Sequence, residues 1–257
     1  GLRCMIESLG HDALFVDYRP APCVPGLRSR GERVMDLLGR FKADVRFTDA
    51  GRRALIATGI YKPTPMDIEY ERCLALLGVD PSKRNIGEYV DTLVVGSDEV
   101  FNCTQAGPNV GFCRQLLGQG NNCNAVISYA GSFGHTTFSD LKKFHVIDDV
   151  RECFKCFDAV SVRDENSYAI LEALGIANIS THLDPVLVSG VEKLDWKPVF
   201  TPERYALVYG YGNRFTKAEG EAVREMARRR GVELLAVYGH QDFCDKNVDC
   251  GPDEILS

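Results

Sequence analysis

The chain has 257 residues, of which 45% are hydrophobic and 26% charged, and its net charge is −6. That length can bury the core of one large domain or of two ordinary ones. The acidic balance argues against a nucleic-acid backbone as the main partner, and no apolar run reaches the length of a membrane span.

Leu2, Met5, Ile6 and Leu9 fall at helical spacing, with Gly10 as the stop. A short strand is predicted over Ala13–Val16, ended by Pro20, so the chain opens as half of a βαβ unit whose first strand is absent. A loop runs from Pro20 to Gly31, helical patterning returns over Arg33–Phe41, and Lys42–Arg84 read as a mixed, partly helical insertion broken at Pro63–Pro65. The segment Asp91–Asn102 then reads D-T-L-V-V-G-S-D-E-V-F-N. Thr92–Val95 suit one buried strand, Gly96 a tight turn, and Ser97 and Asp98 follow at the strand's carboxyl end, where open α/β sheets bind ligands. The same residues are equally suited to capping a following helix.

Asn102–Asn124 read as loops around a short helix, and Ala125–Ser128 as a strand leading into a small-residue loop that ends at His135. One helix is predicted over Leu141–Phe157, a strand over Ala159–Val162, and a helix over Asn166–Leu174 stopped by Gly175. Ile176–Ser180 and L-D-P-V-L-V from Leu183 give a further strand and turn. Strands alternating with helices predict a mostly parallel sheet, and no strand is followed by a G-x-G-x-x-G dinucleotide fingerprint. Asp195–Pro202 read as a linker. Strand Tyr205–Tyr209, polar loop Gly210–Phe215, helix Lys217–Arg230 and strand Glu233–Tyr238 begin a second α/β unit. The expected division is therefore an N-terminal α/β domain over 1–194 and the truncated start of a C-terminal one over 195–257. The ten cysteines are scattered, with Cys153 and Cys156 in the only C-x-x-C. Small core thiols in a reducing cytosol are expected, and no metal site.

Three predicted strand ends carry chemistry: Ser97-Asp98, Ser132–His135 and Arg163-Asp164, with Asp184 at the end of a fourth. A guanidinium at a strand end suits a phosphate or carboxylate, because its planar fork binds two oxygens at once. A nearby carboxylate can act as general base. Each has a plainer alternative: an ion pair of Arg163 with Asp164 or Glu165, an Asp-Pro turn at Asp184, a surface loop histidine at His135.

Five segments add a resemblance. V-V-G-S-D-E-V-F-N, I-S-Y-A-G-S-F-G, V-S-V-R-D-E-N-S, L-D-P-V-L-V and the early L-G-H-D-A-L-F-V-D-Y-R-P resemble, in order, motifs of the polysaccharide pyruvyl transferase family. The resemblance implies a Rossmann-like, glycosyltransferase-B-like two-domain fold with the site between two α/β halves. It implies transfer of the enolpyruvate part of phosphoenolpyruvate onto a sugar of a cell-surface glycan or its precursor, forming a pyruvate ketal. Phosphoenolpyruvate is then donor substrate, with no cofactor or metal, in the cytoplasm or against the inner face of the membrane. By resemblance Arg163 holds the anionic donor and Asp98 is base or sugar ligand. His135 and Asp184 are candidates for acid or positioning roles, and Ser97, Asn102 and Ser132 for substrate contacts. Glu99 and Phe101 replace the family's usual Gln and Trp, changes expected to alter packing more than chemistry. A glycine- and glutamine-containing segment expected before Leu2 and a late T-N-S-F-H-G-type segment are absent, so this chain alone is expected to be inactive. A nucleotide-sugar glycosyltransferase and a non-catalytic glycan-binding homologue are the alternatives.

Overall fold

The fold follows from two runs of short parallel strands, several of them joined by helices. The computed structural model describes residues 1–29, 49–62, 85–105, 110–189, 204–212 and 215–248, with single positions between 68 and 79. The predicted helix Arg33–Phe41, most of Lys42–Arg84 and the linker Asp195–Pro202 lie outside the described residues. Early in the chain stand α1 (Leu2–Ser8) and α2 (Asp49–Ala57). The remainder is α/β, with parallel sheets. The chain separates into two units, Gly1–Gly51 with Ser82–Lys193, and Arg52–Pro81 with Leu194–Ser257.

The first unit holds a four-stranded sheet in the order β1 (Val90–Asp98), β2 (Cys123–Gly131), β3 (Val160–Val162), β4 (Ile179–Thr181). All three pairings are parallel, with Asp98 opposite Gly131, Gly131 opposite Val162, and Val162 opposite Thr181. The crossovers are α3 (Phe138–Lys143) with α4 (Ile147–Phe154), then α5 (Glu165–Ala173). Leu141, Val150, Cys153, Phe154, Ile170 and Leu171 from these helices join Val95, Val126, Val160 and Val162 in one core. At its centre Phe101 meets Phe133, Phe154 and Phe157 at ring separations of 5.6, 4.9 and 6.0 Å. Each fully buried ring contributes about 1.5–3 kcal/mol. Phe101 thus does what its substitution for Trp suggested: it packs.

Several local expectations are corrected. Gly96 is not a turn; β1 continues through it to Asp98, with a cis peptide between Gly96 and Ser97. A Cβ at Gly96 would stand 2.0 Å from the carbonyl oxygen of Tyr129, so the glycine gives clearance to the neighbouring strand. No helix follows Asp98, and the described residues of Asn102–Asn124 form turns rather than a short helix. Ala13–Val16 is not a strand. Asp17 and Asn85 exchange backbone-to-side-chain bonds of 3.0 and 3.1 Å, and Ala21 donates to Val110, so side chains and a loop take the place of a ladder. The single helix predicted over Leu141–Phe157 is two. His145 at φ 56° breaks the run, and Thr137 with Asp140 forms a capping box that starts α3 ahead of the expected residue. After β4, Pro185–Ser189 form a short helix, α6, where a turn was expected.

The second unit contains β5 (Tyr205–Tyr209), α7 (Lys217–Arg230), β6 (Glu233–Val237) and β7 (Lys246–Val248), in a parallel sheet of order β5-β6-β7. Thr216 and Glu219 form the capping box of α7 and Gly231 ends it at φ 61°. The strand β7 was not foreseen in the sequence.

Between β2 and β3 the ladder is nearly replaced by side chains. Ser128 Oγ donates to the Ser161 carbonyl (3.0 Å) and accepts from Ser161 N (2.9 Å), while Ser161 Oγ donates to the Ser128 carbonyl (3.0 Å) and accepts from Ala130 N (2.9 Å). Both serines are buried. Removing either hydroxyl strands a buried N–H and a buried carbonyl, at about 1–3 kcal/mol. Ser128→Ala and Ser161→Ala should each lower the urea midpoint accordingly. The double variant should lose less than the sum, because the two hydroxyls act on the same two strands.

Candidate functional site

The sheet delivers three charged side chains to one place. Arg163 directly follows Val162, and its guanidinium donates to Asp98 Oδ1 at 2.9 Å and to Asp184 Oδ2 at 2.7 Å. Asp98 ends β1 at φ 82°, and its carbonyl accepts from Ser132 N (2.9 Å), which fixes the end of β1 against the loop after β2. The other oxygen of Asp184 accepts from Val186 N at 2.9 Å, so this carboxylate also shapes the Asp-Pro corner. Burial works against the charge on Arg163, but the bonds to Asp98 and Asp184 outweigh it and hold the guanidinium above its ordinary pKa. The partners of Arg163 are therefore distant in sequence, not the adjacent Asp164 or Glu165.

The three groups differ in exposure. The Asp98 side chain is 81% exposed, against 27% for Arg163 and 25% for Asp184. An exposed ion pair contributes about 0.2–1 kcal/mol. Asp98 is thus the partner that a competing anion displaces most easily. With two carboxylates on one guanidinium the formal charge of the trio is −1, and two of the five guanidinium N–H donors are committed to these bonds.

Asp164 has a structural task. It caps α5 by accepting from Ser167 N at 2.8 Å. Burial raises its pKa, but hydrogen bonds from the Ser132 hydroxyl and from Ser167 more than reverse this, leaving the carboxyl below its ordinary value. Ser167 Oγ accepts from Phe133 N (2.8 Å), and Asn166 donates to the carbonyls of Gly134 (3.2 Å) and Thr136 (3.0 Å). The R-D-E-N-S run therefore places one charged group and uses its next residues to hold the S-F-G-H-T loop.

His135 and Asn102 belong to a second cluster. The buried Asn102 Oδ1 accepts from Thr104 N (3.0 Å) and from Thr136 Oγ1 (2.7 Å), which fixes its amide orientation. Its Nδ2 donates to Glu99 Oε2 (2.8 Å) and lies 3.3 Å from His135 Nδ1. Since Nδ2 only donates, Nδ1 can only accept in this pair, and Nε2 lies 3.2 Å from Thr104 Oγ1. No contact joins His135 to Arg163, Asp98 or Asp184. Glu99 is more than a packing substitution: it anchors Asn102 and lies 4.0 Å from His135. Ser132 is buried, its hydroxyl accepting from Gly134 N at 2.9 Å. Ser97 lies half-buried beside Asp98, and its hydroxyl forms no hydrogen bond among the described residues.

One pair was missed in the sequence. Tyr129 and His182 stack with ring centroids 5.5 Å apart and planes 2° from parallel. The tyrosine of S-Y-A and the histidine before L-D-P were the signals, but only the sheet brings them together. Neither of two small pockets, one containing Val16, Leu93 and Gln115 and the other Phe101, Val110 and Leu117, includes the Arg163 trio. Among the described residues no group of three or more His, Cys, Asp or Glu is arranged to hold a metal ion, and no helix is long and apolar enough to cross a membrane.

The sequence model of the polysaccharide pyruvyl transferase family matches residues 2–237. No curated protein and no solved structure matches the chain.

Because the pKa of Asp164 is lower folded than unfolded, its charge stabilises the fold above the unfolded value near 4 and ceases to do so as pH falls through the folded value. Asp164→Asn keeps a capping oxygen and loses the charge. It should cost about 1 kcal/mol at pH 7, the difference between charged and neutral hydrogen bonds, and the gap from wild type should close below about pH 4 in urea titrations.

Proposed function

This chain belongs to the polysaccharide pyruvyl transferase family, and on that basis we propose that it takes part in transferring the pyruvyl group of phosphoenolpyruvate to a sugar of a cell-surface glycan or its precursor. The observation that carries the reading is the double ion pair of Arg163 with Asp98 and Asp184. A sugar hydroxyl adds to C2 of the enol while the methylene carbon takes a proton. A second hydroxyl of the same sugar then displaces phosphate from C2, giving a ketal and inorganic phosphate. The first step needs a cation for the donor, a base for the hydroxyl and an acid that gives the methylene carbon its proton.

Arg163 is assigned to the donor's carboxylate or phosphate. The arriving anion replaces the exposed Asp98 and leaves the more buried Asp184 paired. Freed from the guanidinium, Asp98 is assigned to accept the hydroxyl proton. Asp184 keeps Arg163 oriented throughout. His135, both of whose ring nitrogens are engaged by Asn102 and Thr104, is assigned to positioning the loop that carries Ser132. Ser97, next to Asp98, is the candidate for a sugar contact. The two parallel α/β sheets support a glycosyltransferase-B-like two-domain architecture divided near residue 194, and the proposed reaction uses no metal and takes place in the cytoplasm or against the inner face of the membrane.

Phosphoenolpyruvate should raise the Tm of the protein, and Arg163→Ala should abolish the rise. Asp98→Asn removes the competing carboxylate, so it should tighten phosphoenolpyruvate about 1.4–5-fold by calorimetric titration, the equivalent of an exposed ion pair. Weaker binding by Asp98→Asn would exclude the displacement. Protection by UDP-glucose and not by phosphoenolpyruvate would move the assignment to a nucleotide-sugar glycosyltransferase.

A further inference from the structure

The Tyr129–His182 stack lies on the same sheet and the same level as the Arg163 trio. Arg163 and His182 each directly follow one of the register partners Val162 and Thr181. Neighbouring strands are about 4.8 Å apart, so the two side chains leave adjacent backbones. Val162 is buried in the core, and strand alternation sends Arg163 to the opposite face. Tyr129 likewise alternates with Val126 and Ser128, which are buried against the helices. Two residues after His182, Asp184 turns back to Arg163 at 2.7 Å.

Chemically, the stack is unfinished. His182 is exposed and Tyr129 half-buried, so the outer face of the imidazole is open while the phenol backs it. Among the described residues neither the Tyr129 hydroxyl nor either ring nitrogen of His182 has a hydrogen-bond partner. Both groups reach solvent, where a ligand can take the place of water on them. Here a flat apolar face is edged by unused donors and acceptors, beside carboxylates and a guanidinium. This combination fits a pyranose, whose ring C–H face is apolar and whose equatorial hydroxyls radiate in its plane.

We propose that the Tyr129–His182 stack is the subsite for the acceptor pyranose, with the C–H face of the sugar on the His182 ring and its hydroxyls directed towards Asp98. The assignment rests on the transferase reading above, and it names the group that orients the sugar for the base. His182 and Tyr129 are then substrate-binding residues that set which hexose is accepted.

The test is saturation-transfer NMR with the methyl glycosides of D-glucose, D-galactose and D-mannose, and with UMP as a stacking nucleotide. At least one glycoside should bind, with saturation concentrated on ring protons of one face and a shift of the His182 imidazole resonances. His182→Ala, at an exposed position that leaves the fold intact, should weaken that glycoside at least tenfold, and Tyr129→Leu should do the same. Neither should alter the phosphoenolpyruvate-induced rise in Tm. Failure of every glycoside to bind, glycoside binding unchanged in His182→Ala, or displacement of the glycoside from the stack by UMP would overturn the subsite. If the donor still protects in those cases, only the subsite is lost. If phosphoenolpyruvate gives no protection of the wild type, the transferase reading itself fails.

Discussion

The hydroxyl clasp between Ser128 and Ser161 is the constraint on which the site depends. It spaces β2 from β3 where ordinary ladder pairing is confined to Gly131 with Val162 and a lone bridge at Ile127 and Ala159. Each serine hydroxyl gives one hydrogen and takes one, so the pair satisfies two backbone N–H groups and two carbonyls that the ladder leaves unpaired. Arg163 begins two residues beyond Ser161, and the Ser132 loop four beyond Ser128. The separation of these two strand ends therefore sets how far the guanidinium stands from Asp98. A larger or apolar side chain at either serine would change that separation before touching any charged group.

Around that frame, charge is distributed unevenly by design of exposure rather than of distance. The two bonds to Arg163 differ by 0.2 Å, yet one carboxylate is largely in water and the other largely out of it. Screening therefore separates a permanent partner from an exchangeable one. The neighbouring Asn102 network has the opposite character. The Asn102 amide is buried and hydrogen-bonded at both of its ends, and it ties Glu99, Thr104 and Thr136 into one unit. One cluster is held partly in water and the other by a buried amide.

Much of this was legible from residue patterns, and the failures have physical causes. The second unit was read closely, because Thr216, Glu219 and Gly231 mark both ends of a 14-residue helix. Strand-end placement of Asp98, Arg163 and Asp184 followed from alternating strands and helices. Their mutual bonding did not, since partners 65 and 21 residues away cannot be inferred from local spacing. The helix Leu141–Phe157 was overextended because its apolar period continues across His145, where the backbone changes hand. The tight turn at Gly96 was a misattribution of glycine's freedom: the residue is needed for a close strand, not for a reversal. The Tyr129–His182 pair was not foreseen because the two residues are 53 apart in sequence and only the parallel pairing of the strands brings them together.

The packing of Phe101 against Gly131 has a consequence for how this sequence can change. A Cβ at Gly131 would fall 2.3 Å from the Phe101 ring, so the ring occupies the volume that a side chain there would need. Positions 101 and 131 consequently do not drift independently. A wider aromatic at 101 leaves even less room opposite it, while an alanine at 131 becomes acceptable only after the ring has shrunk.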